Sequence, residues 1–311
     1  MTTRSRLLLF LKGLAMGAAD VVPGVSGGTI AFISGIYEEL IDSIGALGPS
    51  ALRELFTKGP KQFWQTVNGT FLLTLGSGIV FSIVTLARVV TYGLAHHSVL
   101  VWAFFFGLII ASVIYIGRQL GGFSRSTAVP LIMGALIALT INFIPRGHIE
   151  ATPLVVFGAG MIAICAMILP GVSGSFILLL MGLYAQIIAA ISQFDLPLLI
   201  AFGTGCLCGL LMFSRLLSWF LHHHRQKVLA LLTGFLAGSL AVVWPWKRTL
   251  SDGDMRAFND LLWPWHYYAD SAFIVPMMGA VAMMILGFVL VLTLESLTSN
   301  SEASSPDDHS L

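Results

Sequence analysis

The sequence predicts an all-α polytopic membrane protein built from two inverted-topology repeats, each a re-entrant helical hairpin followed by three transmembrane helices. Composition, the lengths of the apolar segments and an internal repeat lead to this prediction. Of the 311 residues, 57% are hydrophobic and 10% are charged, whereas a soluble domain carries about 25% charged residues. The bilayer is therefore the expected solvent. A net charge of +1 gives no electrostatic basis for binding nucleic acid.

Six apolar segments approach the length of about 20 residues that a membrane-spanning helix needs. They cover about 71–93, 100–116, 129–143, 198–221, 228–244 and 273–294. Two longer apolar regions, 5–41 and 152–191, are each interrupted near the middle by a Pro-Gly motif, which predicts a hairpin that enters and leaves the membrane on one side. Loops are expected at 42–69, 117–128, 222–227 and 245–271, and the polar tail 298–311 is expected to be disordered and cytoplasmic.

An internal repeat divides the chain into a first half, 1–148, and a second half, 149–297. The segment Pro23-Gly24-Val25-Ser26-Gly27 recurs 147 positions later as Pro170-Gly171-Val172-Ser173-Gly174. Other residue pairs match at the same offset, namely Phe10 with Phe157, Gly13 with Gly160, Gly35 with Gly182 and Tyr37 with Tyr184. After the 42–69 loop the offset falls to 127, with Arg88 matching Arg215, His97 matching His224 and Gly107 matching Gly234. Matches in this order predict a duplication.

The number of membrane crossings in each half predicts that the two halves enter the membrane from opposite faces. Each half has a hairpin, whose ends lie on one side, and three further spans, which is an odd number of crossings. Positive residues favour the cytoplasmic side of membrane proteins. With a cytoplasmic N-terminus, ten would lie inside, Arg4, Arg6, Lys12, Arg53, Lys58, Lys61, Arg118, Arg125, Arg225 and Lys227, against four outside, Arg146, Lys247, Arg248 and Arg256. Both termini are then expected in the cytoplasm.

The doubled Pro-Gly motif is the strongest candidate site. Backbone that leaves helical geometry at membrane depth is tolerated where it lines a polar cavity, and a helix N-terminus after a glycine turn can bind an anion, above all a phosphate. The candidate phosphate-binding residues are Gly24, Ser26, Gly27, Gly28 and Thr29 in the first motif, and Gly171, Ser173, Gly174 and Ser175 in the second. The alternative is that these small residues only allow helices to pack closely.

Charged residues inside apolar segments are further candidates. Arg88 and Arg215 occupy equivalent positions and could bind a phosphate through two hydrogen bonds, or only extend to lipid headgroups. Asp20 precedes the first motif and could carry a coupled proton or sodium ion, or cap the broken helix. Glu38 and Glu39 are weaker ion-coupling candidates that fit an interfacial position equally well.

No metal or cofactor is expected. The run His222-His223-His224-Arg225 lies in a short basic loop, where interfacial polar residues are the commoner interpretation. Cys165, Cys206 and Cys208 all lie in apolar stretches without a Cys-x-x-Cys pair, which is typical of small core residues.

The Pro-Gly-Val-Ser-Gly-Gly-Thr segment at 23–29, its second copy and the chain length resemble the bacterial polyprenyl-phosphate transporter family, formerly catalogued as a domain of unknown function. The resemblance covers about 6–294. It implies that a polyprenyl-phosphate lipid, undecaprenyl phosphate, is carried across the cytoplasmic membrane and returned to the inner leaflet for cell-wall synthesis. Only the two Pro-Gly-Val-Ser-Gly motifs carry over as functional residues. The second copy departs from the first at Ser175 and Phe176, where Gly28 and Thr29 stand.

Two other functions stay open at this point. An ion-coupled transporter of a small soluble anion would use the same helix ends. A membrane phosphatase would need a nucleophilic histidine with an acidic partner among basic residues, whereas the histidines here are on loops at opposite faces. We therefore expect a transporter and not an enzyme. The oligomeric state has no signal in the sequence.

Overall fold

The computed structural model describes residues 3–22, 24–120, 124–144, 147, 149–248, 260–267 and 274–303. In the first half the helices are α1 (Thr3–Asp20), α2 (Gly27–Ile33), α3 (Tyr37–Ala46), α4 (Pro49–Thr57), α5 (Pro60–Thr66), α6 (Gly69–His96), α7 (Ser98–Gln119) and α8 (Arg125–Phe143). In the second half they are α9 (Pro153–Ile168), α10 (Gly174–Leu180), α11 (Tyr184–Gln193), α12 (Leu196–Ser239), α13 (Pro264–Tyr267) and α14 (Ile274–Ala303). Strands β1 (Lys247–Arg248) and β2 (Asp260–Leu261) pair antiparallel. Pro23, Arg146, Ser251, Arg256 and the end of the tail, 304–311, lie outside the described residues.

The long helices confirm a multi-pass membrane protein. Among the described residues, α6, α7 and α12 are long and apolar enough to cross a bilayer. Helices α10 and α11 are bent by 105° across a short break, which fits either a broken span or a re-entrant segment. Many large apolar side chains on α6, α8, α12 and α14 point outward, as expected where lipid replaces water.

Four of the expected boundaries are wrong. The region 42–69 is mostly helical, because Pro49 and Pro60 occupy first-turn positions of α4 and α5, where proline favours a helix. The loop expected at 222–227 is a kink at His224 within α12, since this polar run contains no glycine or proline. Helix α14 continues through Ala303, where a disordered tail was expected from Thr298 and where again no glycine or proline ends the helix. The span expected at 228–244 ends earlier, at Ser239.

Residues that match in the repeat share unusual backbone conformations. Gly24 and Gly171 have φ of +84° and +82°, and Gly35 and Gly182 have φ of +73° and +74°. Such values favour glycine because a side chain would be strained there. His97 (φ −137°, ψ 43°) and His224 (φ −138°, ψ 40°) break their helices in the same way. Apart from α4 and α5 in the first half and β1, β2 and α13 in the second, the helices follow the same order, with α12 corresponding to α6 and α7 together, and they have the same local breaks.

The two halves also exchange helices. Helix α1 packs along α6, and α9 packs along the first part of α12. The last span of each half packs on the other half: α8 lies against the second part of α12, and α14 lies against α7. These crossings are close because Gly234 meets the backbone of Leu131 and Gly107 meets the backbone of Met284. Opposite insertion of the two halves in the bilayer stays a prediction.

Candidate functional site

The two Pro-Gly motifs meet at one buried crossing. The Ser26 hydroxyl donates to the Met167 carbonyl oxygen at 2.5 Å. The Gly171 N–H donates to Thr29 Oγ1 at 2.9 Å, and the Tyr37 hydroxyl donates to the Ile168 carbonyl oxygen at 3.2 Å. Ser26 and Thr29 are both buried. The start of α2 therefore lies against the end of α9, and motifs that are far apart in sequence form a single polar centre.

The start of α2 is occupied by the protein's own acid. Asp20, the last residue of α1, accepts a hydrogen bond from the Gly27 N–H at 2.6 Å. Ser26 Oγ accepts from the Gly28 N–H at 3.1 Å, and the Thr29 N–H donates to the Ser26 carbonyl oxygen. A carboxylate at a helix N-terminus is stabilised by the unpaired amides and the helix dipole. Of the two interpretations of Asp20, the capping contact is thus present in this conformation.

The other end of α2 is held by a residue that the sequence did not single out. Lys12, also on α1, donates from Nζ to the Ser34 carbonyl oxygen at 2.7 Å. Ser34 is the C-cap of α2, where a cation is favourable. One helix, α1, therefore places an acid at the positive end of α2 and a base at its negative end. The repeat could have flagged Lys12, because its counterpart in the second half is the uncharged Ala159.

The second motif lacks both charges and is more open. Met167 stands at the position equivalent to Asp20. Ser173 makes no side-chain capping bond to α10, and its Oγ lies 2.9 Å from Ser175 Oγ. Within the described residues, the N–H groups of Gly174 and Ser175 have no hydrogen-bond partner. Ser175 is exposed, whereas Gly28, its equivalent, is buried. The two half-sites are therefore not equivalent.

The motif glycines face protein atoms in this conformation. A Cβ atom on Gly27 would lie 2.5 Å from Asp20 Oδ2, and one on Gly28 would overlap the Ile168 carbonyl oxygen. A Cβ on Gly174 would overlap the Ala163 carbonyl oxygen. Close packing, which was the alternative to anion binding, therefore already accounts for these three glycines.

The two arginines do not contact the motifs in this conformation. Arg215 donates from its guanidinium to the Gly45 carbonyl oxygen at 3.0 Å and to the Leu47 carbonyl oxygen at 2.8 Å, at the end of α3. Arg88 is exposed and makes no hydrogen bond or ion pair within the described part of the chain. The structure thus brings together the two motifs and Asp20, and it leaves Arg88 and Arg215 apart from them.

The remaining acidic candidates lie at the edge of the molecule. Glu38 accepts from Arg225 Nε at 2.8 Å, and Glu39 accepts from Asn68 Nδ2 at 2.8 Å. Both contacts are exposed, which fits the interfacial interpretation. Sequence analysis missed Asp42, whose carboxylate accepts from the Ser218 hydroxyl at 2.5 Å. No spacing rule could have paired Asp42 with Ser218, because the contact depends on how α3 packs against α12.

The histidine run is not assembled as a metal site. His223 stacks on Trp219 with ring centroids 4.7 Å apart, and His222 lies 3.8 Å from the Asp42 carboxylate. In the part of the chain that the structure describes, no three histidine, cysteine or acidic residues form a group that could hold a metal ion.

Fold and site define a multi-pass membrane protein in which two broken helical hairpins cross. A family model described as undecaprenyl phosphate translocase-like matches residues 16–258, which include both motifs. A protein of Vibrio cholerae serotype O1 named polyprenyl-phosphate transporter is 50% identical over 249 residues, covering 80% of this chain and 81% of the relative. A Staphylococcus aureus protein of the same name is 34% identical over 310 residues, covering 94% of this chain and 97% of the relative. No solved structure matches. The chain belongs to the undecaprenyl phosphate translocase-like family, which confirms the resemblance drawn from the motifs.

Proposed function

We propose that the protein is a flippase that moves undecaprenyl phosphate across the bacterial cytoplasmic membrane, from the outer to the inner leaflet, without changing the lipid chemically. The observation that carries this proposal is the contact of the two Pro-Gly motifs at one buried crossing. A charged headgroup at mid-bilayer is heavily penalised, and paired helix breaks with free amides offset that penalty. The names of the V. cholerae and S. aureus relatives support the same substrate class.

The phosphate would bind where unpaired donors are available. The open N–H groups of Gly174 and Ser175 at the start of α10, with the hydroxyls of Ser173 and Ser175, form one half-site. The second half-site is at α2, with Gly24, Ser26, Gly27, Gly28 and Thr29, and it becomes available only when Asp20 leaves the Gly27 N–H. Arg88 and Arg215 supply the guanidinium groups that meet the phosphate on its two approaches.

Asp20 suggests how an ion gradient could drive the step. Its carboxylate and the lipid phosphate would compete for the same N–H groups of α2, because both are anions. A proton taken up by Asp20 removes the competing charge and frees the amide of Gly27. Proton uptake and phosphate binding at α2 would then be linked. A sodium ion bound by Asp20 would act in the same sense, and Glu38 and Glu39 stay secondary candidates.

Lipid binding tests the substrate. The purified protein should bind a polyprenyl phosphate about tenfold to a hundredfold more tightly than the uncharged polyprenol, since charge-assisted hydrogen bonds contribute about 1.5–3 kcal/mol. Competition by free inorganic phosphate distinguishes the two kinds of site. Inorganic phosphate should displace the lipid readily from a site for a small soluble anion and poorly from a lipid site. Equal affinity for the phosphate and the alcohol contradicts the anion site, and release of inorganic phosphate from the bound lipid contradicts a carrier without chemistry.

Cysteine labelling tests the inverted repeat. His97 and His224 are equivalent, have the same backbone conformation and are both exposed. If the halves are inverted, His97→Cys should react with a membrane-impermeant reagent from outside only, and His224→Cys from the cytoplasm only. The background must lack Cys165, Cys206 and Cys208, of which Cys208 is exposed. Labelling of both positions from one face would disprove inversion.

One of the basic residues counted for this orientation is held among protein atoms. Lys247, one of the four basic residues assigned to the outside, donates to the Val242 carbonyl oxygen at 2.5 Å and lies 3.3 Å from the centroid of the Trp102 ring. Burial lowers the pKa of Lys247 to about 7, because an ammonium group loses its hydration there.

A further inference from the structure

The two hairpins, although equivalent in sequence, are packed differently. Tyr37 on α3 is 2% exposed, whereas its equivalent Tyr184 on α11 is 42% exposed. Ile41 is 0% exposed, whereas its equivalent Ile188 is 48% exposed. The two residues of each pair are identical, so their burial differs because the second arms of the two hairpins pack against different parts of the protein.

The end of α3 is fastened to α12. Arg215 donates to the carbonyl oxygens of Gly45 and Leu47. Ser218 donates to Asp42, and Arg225 donates to Glu38 at 2.8 Å. We call this set of contacts the α3–α12 latch. It satisfies carbonyl groups at a helix C-terminus that would otherwise have no partner.

The equivalent latch in the other half is open, although its main donor is present. Helices α11 and α6, the equivalents of α3 and α12, do not pack along each other. Arg88 is the counterpart of Arg215, and Ser192 and Phe194 are the counterparts of Gly45 and Leu47. Arg88, Ser192 and Phe194 are all exposed. Within the described residues, the Arg88 guanidinium and the carbonyl oxygens of Ser192 and Phe194 therefore have no hydrogen-bond partners and are free to bind each other.

At the centre of the molecule, too, the first hairpin makes hydrogen bonds that the second does not. Tyr37 and Ser26 donate to the carbonyl oxygens of Ile168 and Met167, at the end of α9. The equivalent donors of the second hairpin, Tyr184 and Ser173, make no such bond to the end of α1. Within the described residues, the hydrogen bonds that Ser26, Tyr37 and Arg215 make between the first hairpin and the second half therefore have no counterparts from Ser173, Tyr184 and Arg88.

We propose that this structure is one of two end states, and that Arg215 and Arg88 are alternating latches. In the other state Arg88 binds the carbonyl oxygens of Ser192 and Phe194 and draws α11 onto α6, while Arg215 releases α3. The inference rests on the proposed transport function, because two end states related by repeat symmetry are what alternating access needs. The inference also says which side of the protein is closed. The α3–α12 latch, on the cytoplasmic side, is closed in this structure, and the half-site near Ser175 faces the open side.

Distance-selective cross-linking tests the exchange. Two cysteine pairs are built in a background without native cysteines: Asp42→Cys with Ser218→Cys across α3 and α12, and the equivalent Thr91→Cys with Ala189→Cys across α6 and α11. A short bifunctional thiol reagent should cross-link both pairs in membranes, because each state is visited. Arg215→Ala should lower the yield of the first pair relative to the second about tenfold, and Arg88→Ala should shift this ratio the opposite way, since each loses two hydrogen bonds. Lysine at either position should restore part of the shift.

The outcomes separate this inference from the proposed function. A pair at 91 and 189 that never cross-links, in protein that binds polyprenyl phosphate, overturns the second state and means that the exposed face of α11 is covered by lipid. Yields that do not respond to either arginine variant overturn the latch. Exchange of both pairs in protein that shows no preference for the phosphate contradicts the substrate and leaves the latch intact. If an alanine variant is not monodisperse, the lysine variants decide.

Discussion

Gly28→Val should abolish transport, whereas Ser175→Val at the equivalent position of the second hairpin should keep the fold and only weaken phosphate binding. A Cβ on Gly28 would overlap the Ile168 carbonyl oxygen, and valine adds two further methyl groups at this crossing. Overpacking of a well-packed site costs about 1–3 kcal/mol, and a backbone oxygen has little freedom to move away. Ser175 is exposed and its side chain contacts Ser173, so valine there removes one hydroxyl without a clash.

The matched pair separates packing from substrate contact. Transport in proteoliposomes and the thermal unfolding temperature should be measured for both variants. We expect Gly28→Val to unfold at a lower temperature and to transport nothing. Ser175→Val should keep its stability and lose about tenfold in phosphate affinity, since one hydrogen bond to a charged group contributes at least about 1.5 kcal/mol. Full transport by Gly28→Val would show that the two hairpins do not cross as described.

Asp20→Asn should decouple lipid binding from pH and stop net transport. Asparagine keeps an oxygen that can accept from the Gly27 N–H, now bound at 2.6 Å, but it carries no charge to compete with a phosphate. We therefore expect tighter binding of polyprenyl phosphate at neutral pH, by about tenfold, because a charge-assisted bond need no longer be displaced. Wild-type affinity should rise as the pH falls, and the variant should lose that dependence.

A capping role alone gives a different result for the same variant. If Asp20 only caps α2, the variant should keep its stability, because asparagine caps a helix about as well as aspartate, and lipid affinity should depend on pH as it does in the wild type. Lys12→Met serves as the control, because Lys12 holds the opposite end of α2 through the Ser34 carbonyl oxygen and does not touch the amides that a phosphate would use. Asp20→Asn with normal transport and an unchanged pH profile would leave Asp20 only as a cap.

The repeat in the sequence predicted local structure better than it predicted contacts. Matching offsets placed the turns at Gly24 and Gly171 correctly, because a positive φ is a property of a few neighbouring residues. The prediction of a loop at 222–227 was wrong because it rested on the polarity of these residues. A polar run without glycine or proline can stay helical. Tertiary partners could not be predicted in this way. Arg88 and Arg215 match in sequence, yet among the residues that the structure describes only Arg215 has hydrogen-bond partners, because the partners depend on which hairpin is packed inward.

The charges at the two ends of α2 also bear on how the first hairpin enters the membrane during synthesis. An isolated lysine or aspartate in the middle of an inserting helix costs about 2.5–3.5 kcal/mol each. Here both are on α1, and α2, which follows at once in the chain, offers an amide to Asp20 and a carbonyl to Lys12. If α1 and α2 enter the bilayer as a folded pair, both charges are already satisfied by neighbouring peptide groups. The second hairpin, with Ala159 and Met167 at these positions, can insert arm by arm.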